Sequence, residues 1–325
     1  MKKLIIITII VFLIAAFTLF TALNLPARTD VMAEPEETPQ TTEIISTPEP
    51  SATPDIAKSD ASICYSYLSD DMFEPNAEAG TVELVTYTTQ SHEKKMQVYL
   101  PYGYSDEKQY NVLILMHGSD GNEGYWFGQY QFYGGKPVEL QNLIDNMIYF
   151  GYCEPLIIVS PTFYLNDDER DEGTNPQRDF SRMAAEIRTD IIPYIKEHYS
   201  TYDSRNHFGF VGASYGSIIL YNSVLPQDLG YISWWGAISG YQADIYTINS
   251  ILATYGDDIG IDYFYTSAGS KDSMKPETVL GYNNMLYLCP KIDGSNICYT
   301  EILDAEHEGR VWVNGIYNCL LIFFK

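Results

Sequence analysis

Residues 209–218 read GFVGASYGSI, and within them Gly212-Ala213-Ser214-Tyr215-Gly216 sets a serine between two glycines. A Gly-x-Ser-x-Gly match arises by chance in roughly one chain of this length in ten, so its surroundings decide what it means. A serine hydroxyl attacks a carbonyl only when a base takes its proton. The chain has five histidines, His92, His117, His198, His207 and His307, and only His307 follows Ser214. On a strand-to-helix turn of an α/β sheet the partners of such a serine follow in the order Ser, Asp or Glu, His. His307, in LDAEHEGRVW, is therefore the candidate base. The carboxylate belongs in a loop after a strand between the two. Asp272, in GSKDS (269–273) behind DYFYTSA, is the choice, because there it would fix the imidazole tautomer and stabilise the imidazolium. Asp293, Asp304 and Glu306 are its rivals, and the last two lie close to His307 in sequence, which makes its far side hard to reach.

Acyl transfer at Ser214 also needs donors aimed at the oxyanion. Tyr215 follows the nucleophile and supplies one backbone N–H by position. The second is expected from HGSDGNEGYWF (117–127), where Gly118, Gly121 and Gly124 let the backbone turn its amides inward. Ser119 is the candidate donor. His117 either orients this loop or is a packed histidine at a strand end. The loop lacks the lysine and the spacing of a phosphate-binding P-loop. Next to it, GYWFGQYQFYGG offers Tyr125, Trp126 and Tyr130 as aromatic surfaces on which a sugar or phenolic acyl group could stack.

These residues need a scaffold that brings strand ends together. VLILM (112–116) and LIIVS (156–160) are short continuous apolar runs, expected of strands buried on both faces. VELVTYT (82–88) and KMQVYLP (95–101) alternate and predict an antiparallel hairpin joined through SHEK. Helical spacing appears in VELQNLIDNMIYFG at Val138, Leu140, Leu143, Ile144, Met147 and Ile148. It recurs in DFSRMAAEIRTDIIPYIKEHY at Phe180, Met183, Ile187, Ile191, Tyr194 and Ile195, where Pro193 predicts a kink. HFGFV, DYFYTSA and ICYTEIL read as strands, SIILYNSVL and VWVNGIYNCLLIFF as helices. Strands alternating with helices predict a mostly parallel, doubly wound sheet with helices on both faces. Ser214 then falls directly between the strand HFGFV and the helix SIILYNSVL, the place of a nucleophile elbow.

Composition bounds the partners. The 325 residues carry 43 acidic and 19 basic side chains, a formal charge of −24. Such a surface repels nucleic acid and anionic membranes. The start, MKKLIIITIIVFLIAAFTLFTALNL, sets two lysines before an apolar run, the pattern of an export signal. Its length suits a cleaved signal or a retained anchor, so an extracellular or cell-surface location is expected, with a membrane tether left open. Residues 1–27 form this segment and 28–60 a Pro-, Thr- and Glu-rich spacer that buries too little apolar surface to fold. Residues 61–325 are the expected globular domain. The five cysteines (Cys64, Cys153, Cys289, Cys298, Cys319) match no zinc spacing, and their odd number leaves at least one unpaired. No metal or cofactor is implied. The acidic run NDDERDE (166–172) reads as a solvated loop.

In collinear order over about 80–325, LMHGSDGNE, NLIDNMIYFGYCEPLIIVSPTF, DIIPYIKEHYSTY, GASYGS, AGSKDSM and HEGRVWVNGIYNCLLIFF resemble the feruloyl esterase and acetyl-xylan esterase group, carbohydrate esterase family one. The resemblance implies an α/β-hydrolase fold without a large lid and no cofactor. It implies Ser214 as nucleophile, Asp272 as acid and His307 as base before a Trp-containing terminal helix. The family elbow is usually Gly-x-Ser-Met-Gly-Gly, and here Tyr215 and Ser217 depart from it. The expected activity is serine esterase hydrolysis of feruloyl or acetyl esters of plant-wall carbohydrate, through an acyl-enzyme. A siderophore esterase or an acyltransferase of the same superfamily keeps the triad with another acyl group or acceptor. A non-catalytic carbohydrate- or wall-binding relative dispenses with it.

Overall fold

A computed structural model describes residues 68–90, 92–119, 121–172 and 181–325. The export segment, the spacer, Cys64 and Phe180 lie outside the described residues. Eight strands form one sheet in the order β1-β2-β6-β3-β7-β8-β9-β10. They are β1 (Thr81–Thr89), β2 (His92–Leu100), β3 (Asn111–Met116), β6 (Leu156–Ser160), β7 (Phe208–Ala213), β8 (Trp234–Ile238), β9 (Tyr263–Gly269) and β10 (Ile297–Ile302). From β6 to β10 every neighbouring pair is parallel, while β1 and β2 add an antiparallel edge. A separate short pair, β4 (Gln131–Tyr133) and β5 (Lys136–Val138), stands apart from the sheet.

The continuous apolar runs divide between two cores because successive side chains on a strand face opposite ways. On β3, Val112, Ile114 and Met116 enter one core, and Leu113 and Leu115 enter the other. The first core is closed by the helical segment from α3 (Arg182–Glu186) to α4 (Ile192–His198), which buries Met183, Ile187, Ile191 and Ile195. The second is closed by α1 (Leu140–Tyr149) and the terminal helix α9 (Gly309–Ile322). The sheet is thus covered on both faces, as expected of parallel strands. A five-residue helix α2 (Asp167–Asp171) occupies the acidic run that reads as a loop, capped by the Asn166 side chain on the Glu169 N–H.

Three features differ from expectation. The hairpin connection is shorter than SHEK, because β2 already begins at His92 and Thr89 pairs with His92. Gln90 takes φ 44°, the positive φ that a two-residue hairpin turn requires. Lys94 is consequently a strand residue, and a buried one. At Pro193 the helix widens into a π turn, Ile187–Ile191, with the Ile192 N–H bonded to Ile187 O. Proline lacks the N–H for the carbonyl four residues back and crowds it, and the wider turn accommodates both. SIILYNSVL behaves likewise: α5 (Tyr215–Ile219) runs through a π turn at Leu220–Val224 into α6 (Leu225–Asp228), ahead of Pro226.

β8, α7 (Ile245–Leu252) and α8 (Lys275–Leu288) have no counterpart in the sequence pattern. The face that α8 buries consists of Thr278, Gly281 and Met285, too small and polar to register as an apolar stripe. Gly281 is there for fit, since a Cβ would meet the Tyr241 ring at 2.6 Å.

Candidate active site

The parallel strands share one C-terminal edge, and the chemistry-bearing residues lie along it. Ser214 follows β7 and starts α5, with φ 53° and ψ −117°, a conformation rare for a residue with a side chain. The surrounding backbone over-determines this turn. The Ser214 N–H donates to Ile238 O of β8 at 2.8 Å. A Cβ on Gly212 would lie 2.3 Å from Gly216 O, and one on Gly216 would lie 2.7 Å from the carbonyls of Met116 and His117. Both glycines of the motif are therefore sterically required. Ser217, where the family usually has glycine, is fully buried and donates its hydroxyl to Gly212 O (2.6 Å) and Ile238 O (2.9 Å), tying the elbow to β8.

Three residues far apart in sequence meet at the elbow. Ser214 Oγ lies 2.9 Å from His307 Nε2, and His307 Nδ1 lies 3.0 Å from Asp272 Oδ1. The Asp272 side chain is fully buried, whereas that of His307 is 31 % exposed. Burial alone would raise the Asp272 carboxyl, but hydrogen bonds from His307, Ser239 and the Met274 N–H outweigh it and hold the pKa below the ordinary carboxylate value. The imidazole edge stands against Trp312 of α9 at 4.7 Å between centroids and 83° between planes. The rivals fall elsewhere: Asp304 pairs with Lys271, Asp293 caps its own turn at Ser295, and Glu306 is exposed.

A fourth member of this cluster, Ser239, is not foreshadowed in the sequence. It ends β8 at φ 52° and is fully buried. Its hydroxyl donates to Asp272 Oδ2 and lies 3.1 Å from His307 Nδ1. The one available clue was SWWGAIS itself, whose strand character was hidden by its mix of tryptophan, glycine and serine.

On the other side of Ser214 runs the loop after β3. A Cβ on Gly118 would lie 3.7 Å from Ser214 Oγ, so this backbone passes directly beside the hydroxyl. His117 is completely buried. Its Nδ1–H donates to Gly118 O at 2.6 Å, and its Nε2 accepts from the Thr162 hydroxyl at 2.9 Å. Burial pushes this imidazole down to about 4; the Gly118 carbonyl opposes the shift and Lys94 reinforces it. His117 is thus a neutral residue that orients the loop and packs on Phe163 at 4.4 Å, both of its expected roles at once. The peptide unit is planar and trans. With the Gly118 carbonyl held to the ring, the Ser119 N–H points away from it. Tyr164 OH in turn donates to Ser119 O.

The aromatic stretch divides. Trp126 is 1 % exposed and belongs to the core, so it cannot offer a face to substrate, a correction to the sequence expectation. Tyr125 is half-buried, edge-on to Trp126 and 6.5 Å from the His117 ring, while Tyr130 is 62 % exposed. Tyr215 is half-buried beside Phe163. No group of three or more His, Cys, Asp or Glu side chains able to hold a metal occurs among the described residues. No described helix is long and apolar enough to cross a membrane.

The mostly parallel sheet, flanked by helices and carrying a strained serine at the end of β7, defines an α/β-hydrolase. No family model matches the chain. Over 193 residues it is 34 % identical to endo-1,4-beta-xylanase Y of Acetivibrio thermocellus, which covers 56 % of this chain and only 16 % of that protein's length. A mutant of the feruloyl esterase module from Clostridium thermocellum, solved with sinapinate, superposes with a TM-score of 0.69 at 27 % identity, over 81 % of this chain and 94 % of the module. A ferulic acid esterase of carbohydrate esterase family one from Anaeromyces mucronatus, solved with ferulic acid, gives 0.64 at 20 % identity, over 81 % and 98 %. By these likenesses the chain is most similar, among the proteins named, to feruloyl esterase modules.

Proposed function

We propose that the chain is an exported serine esterase that hydrolyses acyl esters of plant-wall carbohydrate, with feruloyl the leading acyl group. The observation that carries this reading is the bonded series Ser214–His307–Asp272 beside the Gly118–Ser119 backbone. Ser214 Oγ attacks the ester carbonyl while His307 Nε2 takes its proton. Asp272, with Ser239, holds the ring so that Nε2 faces the serine, and stabilises the imidazolium. The N–H groups of Ser119 and Tyr215 receive the oxyanion, Tyr215 from the first position of α5. His307 then protonates the departing alcohol oxygen, and an acyl-enzyme remains. Water, deprotonated by the same histidine, attacks it, and the acid leaves.

The acyl preference is supported by the sinapinate- and ferulate-bound relatives and by the tyrosines beside the site, Tyr125 and Tyr215. A polar cavity of about 220 Å³ opens next to the loop, lined among others by Lys95, Asn122, Glu123, Asn166 and Arg170. Its mixed donors and acceptors suit a hydroxylated alcohol. Export rests on the first 27 residues, with a membrane tether as one form of it. Hydrolysis of methyl ferulate and p-nitrophenyl acetate by wild type and Ser214→Ala tests the reading. Wild-type turnover that the substitution abolishes supports it. Equal rates for the two proteins would remove Ser214 from the mechanism.

A further inference from the structure

The loop beside Ser214 is held from below by side chains that touch no reacting atom. On β2, Lys94 has the same parity as Met96 and Val98, both fully buried in the core under that face. An apolar side chain at 94 would continue the stripe. Instead a lysine whose side chain is 1 % exposed donates to Glu186 Oε1 at 2.6 Å and to Thr162 O at 2.7 Å. Tyr87 OH donates to the same Glu186 oxygen. Because β2 runs antiparallel to β6, with Gln97 opposite Ser160, Lys94 projects past the end of β6, where residues 161–164 begin.

Those residues are clamped twice and in turn clamp the loop. Lys94 holds the Thr162 carbonyl and Arg182 holds the Phe163 carbonyl at 2.8 Å. Above them the Thr162 hydroxyl supports His117, which holds Gly118 O, and Tyr164 OH holds Ser119 O. Both carbonyls next to the oxyanion position therefore depend on residues 162–164. A buried ion pair is a weak source of stability, since an apolar pair of similar volume commonly does as well or better. A break in the apolar pattern with no gain in stability marks a functional constraint.

We infer that Lys94, paired with Glu186, is a positioning residue for oxyanion stabilisation, fixing Thr162 and through it the peptide units of Gly118 and Ser119. The inference rests on the esterase reading above. Its test uses the full chain and four proteins: wild type, the double variant Lys94→Met/Glu186→Leu, Thr162→Val and Thr162→Ser. With methyl ferulate, the double variant and Thr162→Val are expected to lose roughly 10- to 100-fold in kcat with KM within about twofold, because the lost interaction belongs to the tetrahedral state. Inhibition by benzeneboronic acid, which forms a tetrahedral adduct with serine, weakens in parallel. Thr162→Ser keeps the hydroxyl and stays near wild type, and the melting temperature of the double variant does not fall. Should the double variant not fold, the Thr162 pair carries the same comparison. Wild-type kcat in the double variant or in Thr162→Val, with changes confined to melting temperature, overturns the positioning role alone. An inactive wild type overturns the esterase reading and this role together.

Discussion

The two sides of Ser214 are built differently. On one side His307 and Asp272 reach the serine from the ends of β10 and β9, the histidine partly open to solvent and the acid buried behind it. On the other side the neighbour is the loop after β3. Gly118 passes beside the hydroxyl with its backbone, and the loop is supported by a buried network of His117, Thr162, Tyr164, Lys94 and Glu186. In the proposed mechanism the first side moves protons, and its histidine is partly open to solvent. In the same mechanism the second holds still while charge develops, and the side chains behind it are neutral or paired and largely buried. On the proposed mechanism, proton transfer and electrostatic stabilisation place opposite demands on burial.

Breaking the first side should cost far more than loosening the second. Asp272→Asn keeps the shape but favours the wrong tautomer at His307, and kcat for methyl ferulate is expected to fall by about four orders of magnitude with little change in KM. A loss below about tenfold would mean that Asp272 does not set the histidine. Ser239→Ala sharpens the same point, removing one donor to the Asp272 carboxylate. A loss of about tenfold is expected, the scale of one hydrogen bond to a charged group, together with a rise in the Asp272 pKa visible by carboxyl-selective NMR.

One member of the second side also has a signature in stability. His117 is neutral and buried with its pKa lowered to about 4, against an ordinary value of 6.5. Between these values the unfolded chain binds the proton and the folded chain does not, so stability rises with pH across that window. His117 then contributes about 3 kcal/mol at neutral pH that is lost as pH falls from 6.5 towards 4. Urea unfolding of wild type and His117→Gln at several pH values checks this: the difference between their slopes should be confined to that window. A uniform offset at every pH would contradict the neutral buried ring.

The smallest effects separate packing from contact in the aromatic stretch. Trp126→Ala is expected to cost about 3–5 kcal/mol of stability, as for a large core side chain. Tyr130→Ala, at an exposed site, should leave stability within about 0.5 kcal/mol. If Tyr130 touches substrate, its loss appears as a few-fold rise in KM. Unchanged KM for every ester assigns Tyr130 to the surface alone.

The same division explains what could be read from the sequence. Ser214, His307 and Asp272 stood out because an elbow between two glycines, a fixed chain order and a shortage of histidines leave few choices. The parallel sheet was legible in VLILM and LIIVS, whose burial on both faces leaves no polar position. Lys94 was hidden because SHEK has the composition of a turn, and only the two-residue hairpin draws it into β2. Ser239 and Thr162 are common polar residues whose roles arise from contacts 33 and 45 residues away. The helix α8 buries threonine and glycine, so its periodicity carries no apolar signal. The burial of Trp126 is not legible in the sequence, because an aromatic residue in a glycine-rich stretch has the same composition whether it is core or contact.

Mapping the site of covalent labelling by a fluorophosphonate tests the central claim most directly, because it needs no choice of substrate. One adduct is expected, on the peptide carrying Ser214, formed by wild type, lost in Ser214→Ala and strongly slowed in His307→Ala. No adduct, or one on another serine, would contradict it.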